Sequence, residues 1–227
     1  MKIFIDSANI KEIESFISWG ICDGVTTNPS INLSAGIKGG MASIRNNSEN
    51  ISRLIGNKPL SVETTTENPI EMIKQAKDFS SWDIKNLVVK IPITTSRGEP
   101  LLDVIHNLTE SGIQVNTTAM MTLNQLMLAT KAGSRYVSLF AGRIDDEGND
   151  AIQVLSNSRK WLDIHYYKAE IIVGSTRTTK NVTDWVMTCA HVITIIPSVL
   201  RAMVLNARTK ETVMPFTSDA LKSMKEM

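Results

Sequence analysis

The sequence predicts an α/β fold, a single (β/α)8 TIM barrel with an additional C-terminal helix. Three observations carry this. Eight short runs rich in β-branched residues alternate with longer segments whose apolar residues recur at helical spacing. The short runs are nearly continuous in apolar residues, as parallel strands covered on both faces are. Eight such units in a chain of 227 residues match the usual size of the closed barrel. An open doubly wound sheet is the competing architecture, disfavoured because no strand is followed by a Gly-rich phosphate turn.

Taken in order, strands are expected at residues 2–6, 24–28, 60–64, 86–92, 113–118, 136–140, 170–175 and 192–196. Helices are expected between and after them, at residues 10–19, about 40–54, 69–79, 99–111, 123–132, 150–162, 179–190 and 198–207. Asn68-Pro69 opens the third helix with a capping residue and a proline at the first helical position. Gly112 and Gly133 stand where the fourth and fifth helices end in a left-handed turn. The Ser and Asn residues between 43 and 52 read as a solvated helix face. Residues 215–227 read as a tail helix begun by Thr217 or Ser218, either a cap over one end of the barrel or an arm on a neighbouring subunit. No Pro/Gly/Ser-rich linker or low-complexity tract interrupts the chain, so residues 1–227 are expected to form one domain.

Composition narrows the function. There are 24 basic and 23 acidic side chains, a formal net charge of +1, so the electrostatic footprint of a nucleic-acid or membrane-surface binder is missing. Any anionic partner is expected to be small. No apolar run approaches the roughly 18–20 residues of a membrane span, and Asp6 falls inside what would be the apolar part of a secretion signal. Two cysteines, Cys22 and Cys189, form no disulfide framework; a reducing, cytoplasmic setting is expected. His106, His165 and His191 lie at no metal-ligand spacing, and no metal is expected.

The chemistry enters where the strands stop being apolar. The first runs Ile3, Phe4, Ile5 and then Asp6; the fourth runs Leu87, Val88, Val89, Lys90, Ile91. A buried carboxylate or ammonium is expensive unless it is paired or neutralised. Polar residues recur near the other strand ends at Thr26, Asn28, Glu63, Asn116, Thr118, Ser138 and Ser175. Alternation puts Glu63 on one face with Ser61, Asn116 with Thr118, and Ser138 with Phe140. Such a ring describes the C-terminal mouth of a barrel, where active sites of this fold lie. Asp6, Glu63 or Lys90 singly could be part of a structural ion-pair network. As a set they point to chemistry, because a network for stability is more readily built from apolar residues.

Lys90 stands among Val88, Val89 and Ile91, and a lysine amine at such a place can attack a carbonyl and form a Schiff base. A protonated imine is an electron sink. It lets the adjacent carbon–carbon bond break once an acid/base group removes a hydroxyl proton, and Asp6 and Glu63 are the candidates. Arg143 after the sixth strand, with Ser175 and Arg177 at a helix start after the seventh, make a cradle for a phosphate.

The runs Met1-Lys-Ile-Phe-Ile-Asp-Ser-Ala-Asn9, Gly24-Val-Thr-Thr-Asn-Pro-Ser30, Asn86-Leu-Val-Val-Lys-Ile-Pro92 and Tyr136-Val-Ser-Leu-Phe-Ala-Gly-Arg-Ile-Asp-Asp146 resemble the short-chain transaldolase family, which includes fructose-6-phosphate aldolases. The resemblance runs in order from residue 1 to about 221. It implies a barrel enzyme without cofactor or metal. Lys90 is implied as the Schiff-base lysine, Asp6 as the acid/base at the C4 hydroxyl, and Glu63 with Thr118 as the pair that handles the catalytic water. Thr26, Asn28, Asn116 and Ser138 match positions that hold the sugar hydroxyls, and Arg143, Ser175 and Arg177 match the phosphate group. The implied partners are small sugar phosphates: sedoheptulose 7-phosphate or fructose 6-phosphate as donor, glyceraldehyde 3-phosphate or erythrose 4-phosphate as acceptor. The implied assembly is a homo-oligomer, pentamer or decamer.

Glu63 stands where the aldolases of the family have glutamine, and Phe140 where they have tyrosine. Both favour the transferase over the aldolase that releases free dihydroxyacetone. Leu139, Thr176 and residues 31–40 depart from the family pattern without touching a proposed catalytic group. A reading of another class, an inactive barrel that binds sugar phosphate, is opposed by the intact set Asp6, Glu63, Lys90 and Thr118.

Overall fold

The computed structural model describes residues 1–225. Over that span the strands β1 (Lys2–Asp6), β2 (Gly24–Thr26), β3 (Leu60–Glu63), β4 (Leu87–Pro92), β5 (Val115–Met120), β6 (Tyr136–Phe140), β7 (Glu170–Gly174) and β8 (Val192–Ile195) pair in chain order. Every pairing is parallel, and β8 closes on β1. The helices are α1 (Ile10–Ser18), α2 (Pro29–Ser34), α3 (Met41–Ile55), α4 (Pro69–Phe79), α5 (Leu102–Glu110), α6 (Leu123–Lys131), α7 (Ala141–Asp146), α8 (Ala151–Ile164), α9 (Thr179–Val186), α10 (Pro197–Val204) and α11 (Ala207–Lys225). The fold is the expected (β/α)8 TIM barrel with a C-terminal helix.

Local chemistry starts the helices where the strand-end loops need to turn back. Asn9, Asn28, Asn68 and Asp150 each accept from a backbone N–H in the first turn of α1, α2, α4 and α8, satisfying donors that the helix itself leaves unpaired. Thr122 and Thr178 complete reciprocal capping boxes with Gln125 and Asn181 at α6 and α9. Outward-facing strand residues such as Ile5, Val62, Val89, Val115, Val137 and Val173 are fully buried against the helices and form the main core. A smaller apolar cluster, Phe4, Val88, Tyr136, Ile172 and Val192, fills the barrel interior. Gly24 has no Cβ because one would collide with the Phe4 ring, 2.6–2.9 Å away.

Three expectations are corrected. The tail helix begins at Ala207 rather than near Thr217, and Pro215 lies inside it. Asn206 caps it by accepting from Thr209 N–H at 3.1 Å, and a helical φ suits proline, whose cost is one lost hydrogen bond and a ring clash. Residues 226–227 lie outside the described residues. Every described side chain from residue 201 to 224 is exposed, so this helix does not cap the barrel. The Ser/Asn run of α3 is not a solvated face either: Asn47, Ser48 and Ser52 are buried beside Ile51 and Ile55, and Asn47 Nδ2 donates to Ala8 O at 3.1 Å. The short helices α2 and α7, six residues each, were not anticipated. Among the described residues no helix is long and apolar enough to cross a membrane.

Candidate active site

Parallel register and period-two alternation build the site two residues further along each strand than the interior apolar cluster. Phe4, Val88, Tyr136, Ile172 and Val192 face inward, so Asp6, Lys90, Ser138, Gly174 and Thr194 do as well. These residues line one cavity of about 170 Å³ at the C-terminal ends of the strands, with Thr26, Asn28, Asn116, Thr118, Phe140, Arg143, Ile172 and Ser175.

Lys90 is central. It is 5% exposed, and its Nζ lies 2.9 Å from Glu63 Oε2 and donates to the Thr27 carbonyl at 3.3 Å. The pairing follows from register, since Glu63 on β3 and Asn116 on β5 are the neighbours of Lys90 on either side. Asn116, fully buried, donates from Nδ2 to Ser61 Oγ at 3.3 Å and accepts from Ser138 Oγ at 2.7 Å. A row of polar inner-face groups thus crosses from β3 to β6. Glu63 is the carboxylate closest to the amine and is partly exposed at its side chain, which suits a group that exchanges protons with both the amine and water.

On β1, Asp6 accepts from Thr26 Oγ1 at 2.6 Å. Burial pushes its carboxyl above the ordinary aspartate value; Lys90 and the Thr26 hydrogen bond act against this, and Glu63 adds to it. Thr118 is 1% exposed and its hydroxyl has no protein partner among the described residues. It precedes Ala119, which takes φ 58° where the β5–β6 register shifts. That bulge interrupts the alternation just after Thr118, at the rim, where bulges often re-aim a side chain.

Of the three residues expected to hold a phosphate, two line the cavity. Arg143, on α7, lies over the Phe140 ring at 5.5 Å and lines the cavity with Ser175. Arg177 does not line it. Its guanidinium is gripped by Asp146 at 2.7 and 2.6 Å through two hydrogen bonds, with both side chains half exposed. Sequence reasoning placed Arg177 beside Arg143 and did not foresee Asp146 as its partner. It also missed Thr194, which lies within 2.5 Å of Thr26 Oγ1; the inward face shared with Val192 was the available signal. Ser175 adopts φ 66°, a left-handed conformation uncommon for a non-glycine residue. Among the described residues no three His, Cys, Asp or Glu side chains come together as a metal site requires.

The fold and site define a (β/α)8 barrel with a buried lysine and two carboxylates at its C-terminal mouth. Residues 3–227 match the family described as Transaldolase/Fructose-6-phosphate aldolase. A probable transaldolase of Alkaliphilus metalliredigens is 35% identical over 221 residues, covering 96% of this chain and 97% of that protein. A probable transaldolase of Streptococcus pyogenes serotype M1 is 36% identical over 228 aligned positions, covering 100% and 97%. The chain belongs to the transaldolase/fructose-6-phosphate aldolase family. Solved structures extend the likeness of fold alone. The N-acetylmannosamine-6-phosphate 2-epimerase from Clostridium perfringens aligns with TM-score 0.58 at 12% identity, over 96% of this chain and 92% of that one. A phosphoenolpyruvate phosphomutase from Streptomyces platensis subsp. rosaceus gives 0.61 at 12% identity, over 97% and 84%.

Proposed function

We propose that this chain is a transaldolase that moves a dihydroxyacetone unit from a ketose phosphate to an aldose phosphate through a Schiff base on Lys90. The observation that carries this reading is the Lys90 amine, buried in the mouth and 2.9 Å from the Glu63 carboxylate, in a chain of this family. The amine adds to the donor carbonyl, and water leaves as the imine forms; Glu63 and Thr118 handle that water. Asp6 then takes the C4 hydroxyl proton. The O–H electron pair becomes the new carbonyl, the C3–C4 bond breaks, and its electrons flow into the imine to give an enamine and a free aldehyde. The acceptor aldehyde reverses these steps, Asp6 returns the proton, and water hydrolyses the product imine.

Thr26, Asn28, Asn116 and Ser138 hold the sugar hydroxyls, while Arg143 and Ser175 receive the phosphate. The donors are sedoheptulose 7-phosphate or fructose 6-phosphate and the acceptors glyceraldehyde 3-phosphate or erythrose 4-phosphate, which places the enzyme in the pentose phosphate pathway of the cytoplasm. Phe140 lines the cavity without a hydroxyl, so the enamine waits for an acceptor instead of being protonated to free dihydroxyacetone. Borohydride reduction in the presence of fructose 6-phosphate is expected to fix a dihydroxyacetone adduct on Lys90, read by peptide mass spectrometry. Absence of the adduct sinks the Schiff-base mechanism. Rapid release of free dihydroxyacetone without erythrose 4-phosphate makes the enzyme an aldolase instead.

The proposal includes a homo-oligomer. Val204, Leu205, Val213, Met214 and Leu221 line one exposed apolar groove along α10 and α11, the kind of surface that a partner covers. A second copy of the chain is the proposed occupant. Light scattering on the full chain is expected to give a pentamer or decamer, and a monomeric mass overturns it.

A further inference from the structure

Three oxygen atoms from three adjacent strands form a row at one side of the mouth. Thr26 Oγ1 on β2 lies 2.6 Å from Asp6 Oδ1 on β1. Thr194 Oγ1 on β8 lies 2.5 Å from Thr26 Oγ1. Both threonines are buried, Thr26 at 2% and Thr194 at 6% exposure, and all three side chains line the same cavity. Thr194 is held in register from behind, where Thr176 Oγ1 donates to its carbonyl at 2.7 Å.

Proton counting gives the row a direction. A hydroxyl has one proton to donate. While Asp6 is ionised it only accepts, so the Thr26 proton lies toward Asp6 Oδ1. The proton between the two threonines must then come from Thr194. The order is Thr194 to Thr26 to Asp6, and each donation polarises the next.

We propose that Thr194 is a positioning residue of the transfer reaction, acting through Thr26 to keep Asp6 ionised, oriented and ready to accept the substrate proton on its other oxygen. This rests on Asp6 being the acid/base of the proposed function. The row occupies Oδ1, leaving Oδ2 for the C4 hydroxyl. When Oδ2 takes that proton, Oδ1 becomes the carbonyl oxygen and still accepts from Thr26, so nothing in the row has to reverse during turnover.

The charged groups around Asp6 make such a device useful. Lys90 on β4 favours the carboxylate, while burial and Glu63 on β3 disfavour it. β2 and β8, which pair with β1 on either side, carry no titratable residue. Glu12 on α1 shares a neighbouring cleft with Asp6 but is engaged by Ser7 and Arg201. Arg143 lines the same cavity. Hydrogen-bond donation to the charged form is the contribution that Thr26 and, behind it, Thr194 make.

The test is Thr194→Val, which keeps the branched shape and removes the hydroxyl, with Thr194→Ser as the restoring variant. Should the valine protein fail to fold, Thr194→Ala is the second hydroxyl-free variant. Expected in the hydroxyl-free protein are a fall in kcat of roughly tenfold, the value of about one hydrogen bond, an almost unchanged donor KM, and an acid limb of the pH–rate profile displaced to higher pH. The serine protein returns toward wild type. Carbon-13 titration of the Asp6 carboxyl in the unliganded protein, assigned by difference against Asp6→Asn, is expected to move upward in Thr194→Val. An Asp6 titration and acid limb coincident with wild type overturn the proposal and leave Thr194 with a packing role. Failure of the broader reading looks different: wild-type protein then traps no adduct on Lys90, while the carboxyl titration still decides the threonine row.

Discussion

A Cβ on Gly142 would collide with the carbonyl oxygen of Ser175 and stand 2.9 Å from its hydroxyl. The first turn of α7 thus packs directly on the backbone of Ser175, which lines the cavity and is proposed to receive the phosphate. Gly142→Ala forces α7 and the β7–α9 turn apart, because the obstacle is backbone rather than a movable side chain. The expected loss is about 1–3 kcal/mol, roughly 2–10 °C in Tm for a chain of this size, with a higher KM for phosphorylated substrates since Arg143 and Ser175 both shift. Calorimetry and steady-state kinetics check it; an unchanged Tm would mean that the contact is relieved without strain.

Glu63 lies 2.9 Å from Lys90 and is part exposed. Glu63→Gln keeps the volume and removes the carboxylate, so imine formation is expected to slow by about 10²–10⁴-fold, the usual worth of a general acid/base. The adduct should still form on Lys90, only later. A time course of borohydride trapping measures this, and a wild-type rate in the variant would remove Glu63 from the proton transfers.

The two arginines should separate. Arg143→Ala is expected to raise KM for fructose 6-phosphate by roughly 10–100-fold, as loss of a charge-assisted hydrogen bond of about 1.5–3 kcal/mol implies, with little change for unphosphorylated fructose. Arg177→Ala should do much less, because Asp146 holds that guanidinium outside the cavity. Equal losses in the two variants would return Arg177 to the phosphate site.

Asp6 carries a stability cost near neutral pH. Its folded-state carboxyl lies above the ordinary value, chiefly through burial. The folded state therefore holds the proton more tightly than the unfolded chain, and stability is lost as pH rises from the unfolded value through the folded one. Below the ordinary aspartate range that cost is absent. Asp6→Asn should thus be more stable than wild type at pH 7 and equal to it near pH 3, while losing turnover. Denaturant unfolding at the two pH values tests this; a pH-independent difference would place the effect in packing.

The barrel was legible because each strand announces itself twice, as an apolar run and as the partner of a helical segment. Lys90 and Asp6 were legible for the opposite reason, as charges in runs where burial makes charge costly. Their individual roles came only from resemblance. The pairing of Arg177 with Asp146 was not legible, because the two residues are 31 apart in the chain and on different elements. The polar face of α3 was read as solvated because serine and asparagine are usually exposed, whereas here small polar side chains fit against the barrel where larger ones would not pack.

By itself the sequence determined the closed parallel barrel, the end of it that carries polar groups, and the lysine and carboxylates found there. Those follow from short-range periodicity and from the energy of burying charge, both of which are written along the chain. The tertiary structure decided which groups meet: Lys90 with Glu63, Thr194 with Thr26 and Asp6, Gly142 with Ser175, and Arg177 away from the cavity with Asp146. Contacts between strands far apart in sequence depend on register, twist and the aim of a bulge at Ala119, and no local pattern of residues encodes those distances.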